Sequence, residues 1–196
     1  ADGLYPADGT TSYNLDTPYA YEQVSYVDYA EGIYIGYKWY ETADAEGYWD
    51  AERNEHGTGY DAVVQYPFGY GLSYTSFAYS DLKLNKEELS AGESLFAEVT
   101  VTNTGARDGD EVLECYLRDE EASVSTPKWS LCGFQRFHLK AGESRRIQLE
   151  IKAESMRIVD EQGERYVEPG AFTLFVGGSQ PDERSVLLLG KRPLSA

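Results

Sequence analysis

Carboxylates are the chemically useful side chains that this sequence supplies most freely, since 34 of its 196 residues are Asp or Glu. With so many acids, the closeness of two of them carries no information. A catalytic carboxylate needs a shifted pKa, a pocket and a positioned partner. The two histidines, His56 and His138, occur in neither a nucleophile-elbow context nor a metal-ligand spacing. We therefore predict no catalytic residue, no metal site and no cofactor in this chain.

Aromatic side chains offer a second kind of chemistry, because flat rings match the C–H faces of pyranose sugars. The candidates for contact with a sugar are Tyr34, Tyr37, Trp39, Tyr40 and Trp49. The competing interpretation is that these rings pack their segment onto a larger body, and we apply it also to the rings of residues 66–74. Trp49 lies in an acidic stretch and is the ring that we most expect to be exposed to a ligand or a partner.

Charge and hydropathy limit the classes of partner. The net charge of −17 repels phosphate backbones and anionic lipid, so we expect neither nucleic acid nor a membrane as a partner. No run of 18 apolar residues occurs. Cys115 and Cys132 lie in strand-like apolar runs, and we interpret them as buried free thiols, with a disulfide as the alternative. Free thiols favour a reducing, cytoplasmic compartment.

The second part of the chain, residues 77–196, has the pattern of a β-sandwich. Residues 95–102 alternate apolar and polar side chains, as a half-buried strand does. We predict strands at 77–84, 95–102, 112–117, 131–139, 146–151, 171–176 and 185–189, a hairpin around 161–163 and a helical turn at 153–156. Short strands about ten residues apart are typical of an immunoglobulin-like or fibronectin type III-like sandwich.

The first part, residues 1–76, differs in composition and is predicted to be an extended aromatic-rich arm. It carries 14 of the 17 tyrosines and a net charge of −11. Residues 1–28 show no sustained period, and residues 41–61 are polar and acidic, which indicates a surface loop. Each large aromatic side chain has about 150–250 Å² to bury. We therefore expect the arm to lie against the sandwich or against a body outside this sequence.

Two aromatic blocks carry a resemblance to a known family. Residues 29–40 read YAEGIYIGYKWY and resemble the YAEGIYVGYRYY segment of family 3 glycoside hydrolases of the β-glucosidase type. Residues 66–77 read YPFGYGLSYTSF and resemble that family's YPFGYGLSYTTF. Further similarities follow in order at VTNTG (101–105), GDEV (109–112), LCGFQRFHLKAGE (131–143), VEPGAF (167–172) and VGGS (176–179).

The resemblance implies a C-terminal piece of such an enzyme, comprising the end of an α/β sandwich domain and a fibronectin type III-like domain. In the family, a retaining mechanism uses a nucleophilic Asp from an N-terminal barrel, in an SDW motif, and an acid/base Glu from the α/β sandwich domain. Neither motif is present here, because the only Ser-Asp pair, Ser80-Asp81, is followed by Leu82. The chain alone is predicted to be inactive, with the missing barrel and α/β sandwich domains as its partners.

Two other functions remain open from the residues. One is a free-standing carbohydrate-binding module, with Trp39 and Trp49 as a platform for an oligosaccharide. The other is an immunoglobulin-like interaction domain with a disordered arm. Within the family interpretation, a β-glucoside or a β-xyloside would be bound through the partner domains, because the residues that choose between them lie elsewhere.

Overall fold

The computed structural model describes residues 32–196. Its elements, in chain order, are α1 (Tyr37–Ala45), β1 (Arg53–Asn54), β2 (Gly57–Thr58), α2 (Tyr60–Val63), β3 (Phe77–Leu84), β4 (Leu95–Asn103), β5 (Gly109–Asp119), β6 (Ser130–Leu139), β7 (Ser144–Ile151), a 3-10 turn (Ala153–Met156), β8 (Ile158–Val159), β9 (Arg165–Tyr166), β10 (Phe172–Gly177), α3 (Glu183–Leu189) and β11 (Leu194–Ser195). The prediction for residues 1–28 and the first three residues of the 29–40 motif lie outside the described residues.

Two antiparallel sheets form the sandwich, and the predicted mainly-β fold is confirmed. One sheet has the strand order β11-β10-β5-β6 and the other the order β3-β4-β7. Side chains alternate along β4, where the odd-numbered residues are buried, as their apolar/polar alternation predicts. The core between the sheets includes Val99, Val101, Leu113, Cys115, Leu139, Ile147, Ile151, Leu174 and Val176.

The edge strand β3 is interrupted halfway along its length. Its pairing with β4 shifts register between Ser80 and Lys83, which marks a β-bulge. Asp81 lies in this bulge with φ 56°, and it is the only non-glycine among residues 32–196 with a positive φ. Asp tolerates the left-handed region better than most residues because its short side chain can bond locally. Here its carboxylate accepts a hydrogen bond from Ser80 Oγ at 3.0 Å.

The prediction of a strand at 185–189 is wrong, because this segment is the helix α3. Asp182 caps the N-terminus of α3 by accepting a hydrogen bond from the backbone N–H of Ser185 at 2.8 Å. Gly190 ends the helix in the left-handed conformation. Within residues 32–196, no helix is long enough and apolar enough to cross a membrane.

The arm has more regular structure than its sequence suggests. The prediction of a loop at 41–61 is wrong at both ends, because residues 41–45 belong to α1 and residues 60–61 to α2. Between the helices, β1 and β2 pair as a short antiparallel hairpin. Parts of the arm pack on the outer face of the four-stranded sheet, so the described chain has three layers there.

The two cysteines are free thiols on neighbouring strands. Cys115 is buried in the core, and Cys132 is half-buried and donates a hydrogen bond to the Cys115 carbonyl oxygen at 3.3 Å. Burial raises the pKa of both thiols. Both therefore stay protonated at neutral pH, which makes them poor nucleophiles.

Candidate functional site

Four aromatic side chains meet where α1 ends and the following turn folds back. We call Trp39, Tyr40, Tyr48 and Trp49 the ring cluster. Trp49 lies edge-on to Tyr48, with ring centroids 4.7 Å apart, and stacks on Tyr40 at 6.0 Å. The indole N–H of Trp49 donates to the Tyr40 carbonyl oxygen at 3.0 Å, which fixes the turn against the helix. Tyr40 and Tyr48 remain exposed on its surface.

Tyr37 lies apart from the ring cluster and packs against the sandwich. Its ring stacks on Phe68 at 4.9 Å and lies edge-on to the buried Tyr116 at 6.0 Å. Its hydroxyl accepts a hydrogen bond from the backbone N–H of Leu131, on β6, at 2.7 Å. Burial raises the pKa of Tyr37. Tyr34 is half-buried and takes part in no aromatic pair among the described residues. Of the five predicted sugar-contact residues, only Trp39, Tyr40 and Trp49 therefore lie together.

A second aromatic surface follows α2. The rings of Tyr66 and Tyr70 stack nearly parallel, 5.3 Å apart, and the backbone N–H of Gln180 donates to the Phe68 carbonyl oxygen at 3.3 Å. Beyond them, the side chains of Leu72 and Tyr74 are 90% and 92% exposed. We call the exposed apolar residues of this segment the linker patch: Tyr66, Phe68, Leu72 and Tyr74.

A buried polar group joins the arm to the sandwich, and sequence reasoning missed it. Glu41 on α1 accepts hydrogen bonds at Oε1 from the hydroxyl of Tyr60, on α2, and from the side-chain amide of Gln180, which follows β10. Glu41 and Gln180 are 1% and 0% exposed. Burial raises the pKa of Glu41 to about 7. We call these three residues the Glu41 cluster.

Charged and polar contacts surround this cluster. Lys128 donates its backbone N–H to Thr42 Oγ1 at 3.0 Å, and its ammonium lies 3.7 Å from Asp44. On the other side, Arg184 of α3 lies 3.5 Å from Asp61. The sequence signal for this junction was weak, because Glu41 stands among many acids and nothing local marks Gln180 as its partner.

The buried carboxyls of β5 also have structural partners. Tyr116 donates its hydroxyl to Glu114 Oε2 at 2.7 Å, and burial raises the pKa of Glu114. Burial likewise raises the pKa of Glu111, which the nearby ammonium of Lys191 partly offsets. Among residues 32–196, no group of three or more His, Cys, Asp or Glu side chains is placed to hold a metal ion.

A large cleft lies in the sandwich, away from the aromatic surfaces. Its volume is about 1040 Å³. None of the predicted sugar-contact residues lines it, and its walls are mostly apolar side chains, including Leu82, Leu84, Leu89, Met156, Val167 and Phe172. The polar side chains of the lining are Lys83, Lys86, Glu87, Glu88, Ser90 and Glu168.

Known proteins resemble this chain over most of its length. The fibronectin type III-like domain family matches residues 111–180. The chain is 42% identical to the periplasmic β-glucosidase of Salmonella typhimurium over 112 residues, which cover 57% of this chain and 15% of that protein. It is 31% identical to a β-glucosidase of Bacteroides ovatus over 161 residues, 82% of this chain and 19% of that protein.

A solved structure with the same fold is the family 3 β-glucosidase of Bifidobacterium adolescentis. It is 34% identical, with a TM-score of 0.64, and the match covers 80% of this chain and 20% of that protein. The chain therefore spans no more than a fifth of the length of these relatives. This chain matches the C-terminal region of family 3 glycoside hydrolases of the β-glucosidase type and contains a fibronectin type III-like domain.

Proposed function

We propose that this chain is an accessory segment of a β-glucosidase-like enzyme that hydrolyses terminal β-linked glucose or a related sugar. Residues 1–76 form the arm and residues 77–196 the sandwich, and neither part supplies a catalytic residue. The role of the chain is to support the barrel and α/β sandwich domains of the enzyme and to lie at the edge of its active site. The observation that carries this proposal is the linker patch.

The linker patch exposes four large apolar or aromatic side chains within nine residues. Leu72 and Tyr74 are almost fully exposed, and Tyr66 and Phe68 are 61% and 45% exposed. Contiguous apolar patches above a few hundred Å² usually mark a protein contact. The relatives are at least five times longer than the matched segment, so their remaining domains offer a partner of the right kind. Docking these side chains would remove the patch from water.

A chimera tests this role. The matching C-terminal fifth of the Bifidobacterium adolescentis enzyme would be replaced by this chain, and hydrolysis of aryl β-glucosides and β-xylosides would be measured. We expect the chimera to be active and the isolated 196-residue chain to give no turnover. The double substitution Leu72→Asp and Tyr74→Asp should lower the melting temperature and activity of the chimera, because it places two charges in an apolar interface.

The control substitution is Val159→Asp on β8, which changes an exposed apolar residue outside the linker patch. We expect this variant to behave as the parent chimera does. Turnover by the isolated chain would contradict the proposal. An equal response to the patch and control substitutions would remove the linker patch as its basis.

A second candidate function is direct contact with the sugar through the ring cluster, because stacked and partly exposed rings are a common carbohydrate platform. Tyr40 is 39% exposed and stacks on Trp49. Nearby acids such as Asp50 could accept hydrogen bonds from sugar hydroxyls. The position of Tyr37, half-buried and packed against Tyr116 of the sandwich, supports packing for that residue instead.

Titration of the isolated chain with soluble β-glucan oligosaccharides, followed by tryptophan fluorescence, tests this second candidate. We expect a saturable change at millimolar sugar that Trp49→Ala abolishes and Trp129→Phe preserves, since Trp129 is buried on the sheet. An unchanged spectrum would limit the ring cluster to packing.

A further inference from the structure

A buried carboxyl group that forms no salt bridge among the described residues joins the arm to the sandwich. We propose that the Glu41 cluster is a pH-responsive contact: the neutral, protonated Glu41 keeps α1 on the sandwich, and ionisation of Glu41 loosens the arm. The proposal does not depend on the accessory function, because it concerns contacts within residues 37–182 alone.

The carboxyl group of Glu41 on α1 contacts side chains from two other parts of the chain, α2 and the segment after β10. Tyr60 and Gln180 both donate to Oε1 of Glu41, and Gln180 Nε2 also lies 3.2 Å from the Tyr60 hydroxyl. The other oxygen, Oε2, is buried and accepts no hydrogen bond among the described residues, and the same is true of Gln180 Oε1. Protonation of Glu41 at Oε2 would turn this unsatisfied acceptor into a hydrogen-bond donor, which leaves one unsatisfied acceptor instead of two.

The charges that face Glu41 do not compensate an ionised carboxylate. Within residues 32–196, no cationic group forms a salt bridge with it. Lys128, the cation whose charge favours ionisation, is engaged by Asp44. Arg184 is engaged by Asp61, and the Asp182 carboxylate opposes ionisation. Isolated buried carboxylates are costly, and such groups usually remain neutral instead.

The direction of the pH effect follows from the two pKa values of Glu41. Burial raises its pKa from 4.5 to about 7 in the folded chain. Between these values the folded state binds more protons than the unfolded state, so stability falls as pH rises. The stabilisation is complete below pH 4.5 and is lost as pH rises through about 7. The arm should therefore be held most firmly in mildly acidic solution.

Nuclear magnetic resonance of the 196-residue chain tests the proposal without any substitution. The ¹³C shift of the Glu41 carboxyl carbon should titrate with a midpoint near 7, and the amide signals of residues 37–63 should shift with the same midpoint. A Glu41 midpoint below 5 would overturn the proposal, as would arm amides that do not respond to its titration.

Substitution at Glu41 provides the independent test, read out as urea midpoints between pH 5 and 8.5. Glu41→Gln keeps the shape and the two accepted hydrogen bonds but cannot ionise. Relative to this variant, the wild-type chain should lose roughly 10- to 100-fold in its folded-to-unfolded ratio as pH rises across that range. Glu46→Gln, at an exposed position just after α1, is the matched control and should follow the wild type. Parallel pH profiles for Glu41→Gln and the wild type would overturn the proposal.

Discussion

At the residue scale, Gly69 shows how closely the arm approaches the sandwich. Its φ of 81° is in the left-handed region, which favours glycine. A Cβ atom at this position would lie 2.9 Å from Cδ of Glu114, whose carboxylate is buried and accepts a hydrogen bond from Tyr116. The absence of a side chain therefore lets the linker backbone lie directly on the outer face of β5.

Gly69→Ala should destabilise the chain by more than the cost of placing alanine in the left-handed region, because the added Cβ atom would also overlap the Glu114 side chain. The backbone strain contributes about 1–2 kcal/mol and the steric overlap about 1–3 kcal/mol more. The measurement is the free energy of unfolding from urea titration. Gly163→Ala is the matched control, because Gly163 has a similar φ of 84°, but a Cβ atom there would meet no described atom within 4 Å. Equal losses for the two variants would show that the contact with Glu114 is not close in solution.

Single residues also mark the limit of sequence reasoning about the site. The sequence singled out Trp39, Tyr40 and Trp49 because flat aromatic rings can contact sugars, and the structure brings these three side chains together. It could not separate Tyr37 from them, since only the tertiary contact with Tyr116 turns that ring toward the sandwich. Their role in binding sugar stays a prediction.

At the element scale, the strands of the sandwich could be predicted because alternating apolar and polar residues are the pattern of a strand with one buried face. The strand predicted at 77–84 has the observed bounds, and those at 95–102 and 131–139 differ by one residue at one end. The prediction of a strand at 185–189 failed because a short apolar run fits a strand or a helix equally well. The capping residue Asp182 and the terminal Gly190 were the signals that distinguish them.

The elements of the arm were missed for a different reason. The helix α1 has only nine residues, no side-chain cap and several aromatic residues of modest helix propensity. Short helices are marginal without tertiary packing. Packing of Thr42, Ala43 and Glu41 against the sandwich stabilises α1, and such long-range contacts are invisible in a local pattern.

At the scale of the whole molecule, the arm acts as a third layer over the four-stranded sheet. Tyr116 and Phe175 are paired residues on the outer face of this sheet. The ring centroids of Trp129 and Phe175 are 6.3 Å apart, and Trp129 is buried. The residues flanking Trp129 bond to the arm, Lys128 to Thr42 and Leu131 to Tyr37. The arm therefore covers part of the outer face of this sheet.

Removal of residues 1–76 should consequently destabilise the sandwich. Trp129 would be the only tryptophan left, so its fluorescence reports the exposed sheet face directly. We expect emission at longer wavelength and a melting temperature lower by at least about 5 °C, as a loss of 1–2 kcal/mol produces in a domain of this size. An unchanged transition and emission would instead support an interaction domain with a dispensable arm.

The bulge in β3 bears on self-assembly. Unpaired edge strands invite pairing with the edge of another copy, and a sheet that grows in this way aggregates. Within residues 32–196, β3 is an outer strand of its sheet, and at Asp81 it carries a bulge and a carboxylate. A strand pairing with it would meet a break in register there. The irregularity in the pairing of β3 with β4 therefore makes this one edge a poor template for the edge strand of another copy.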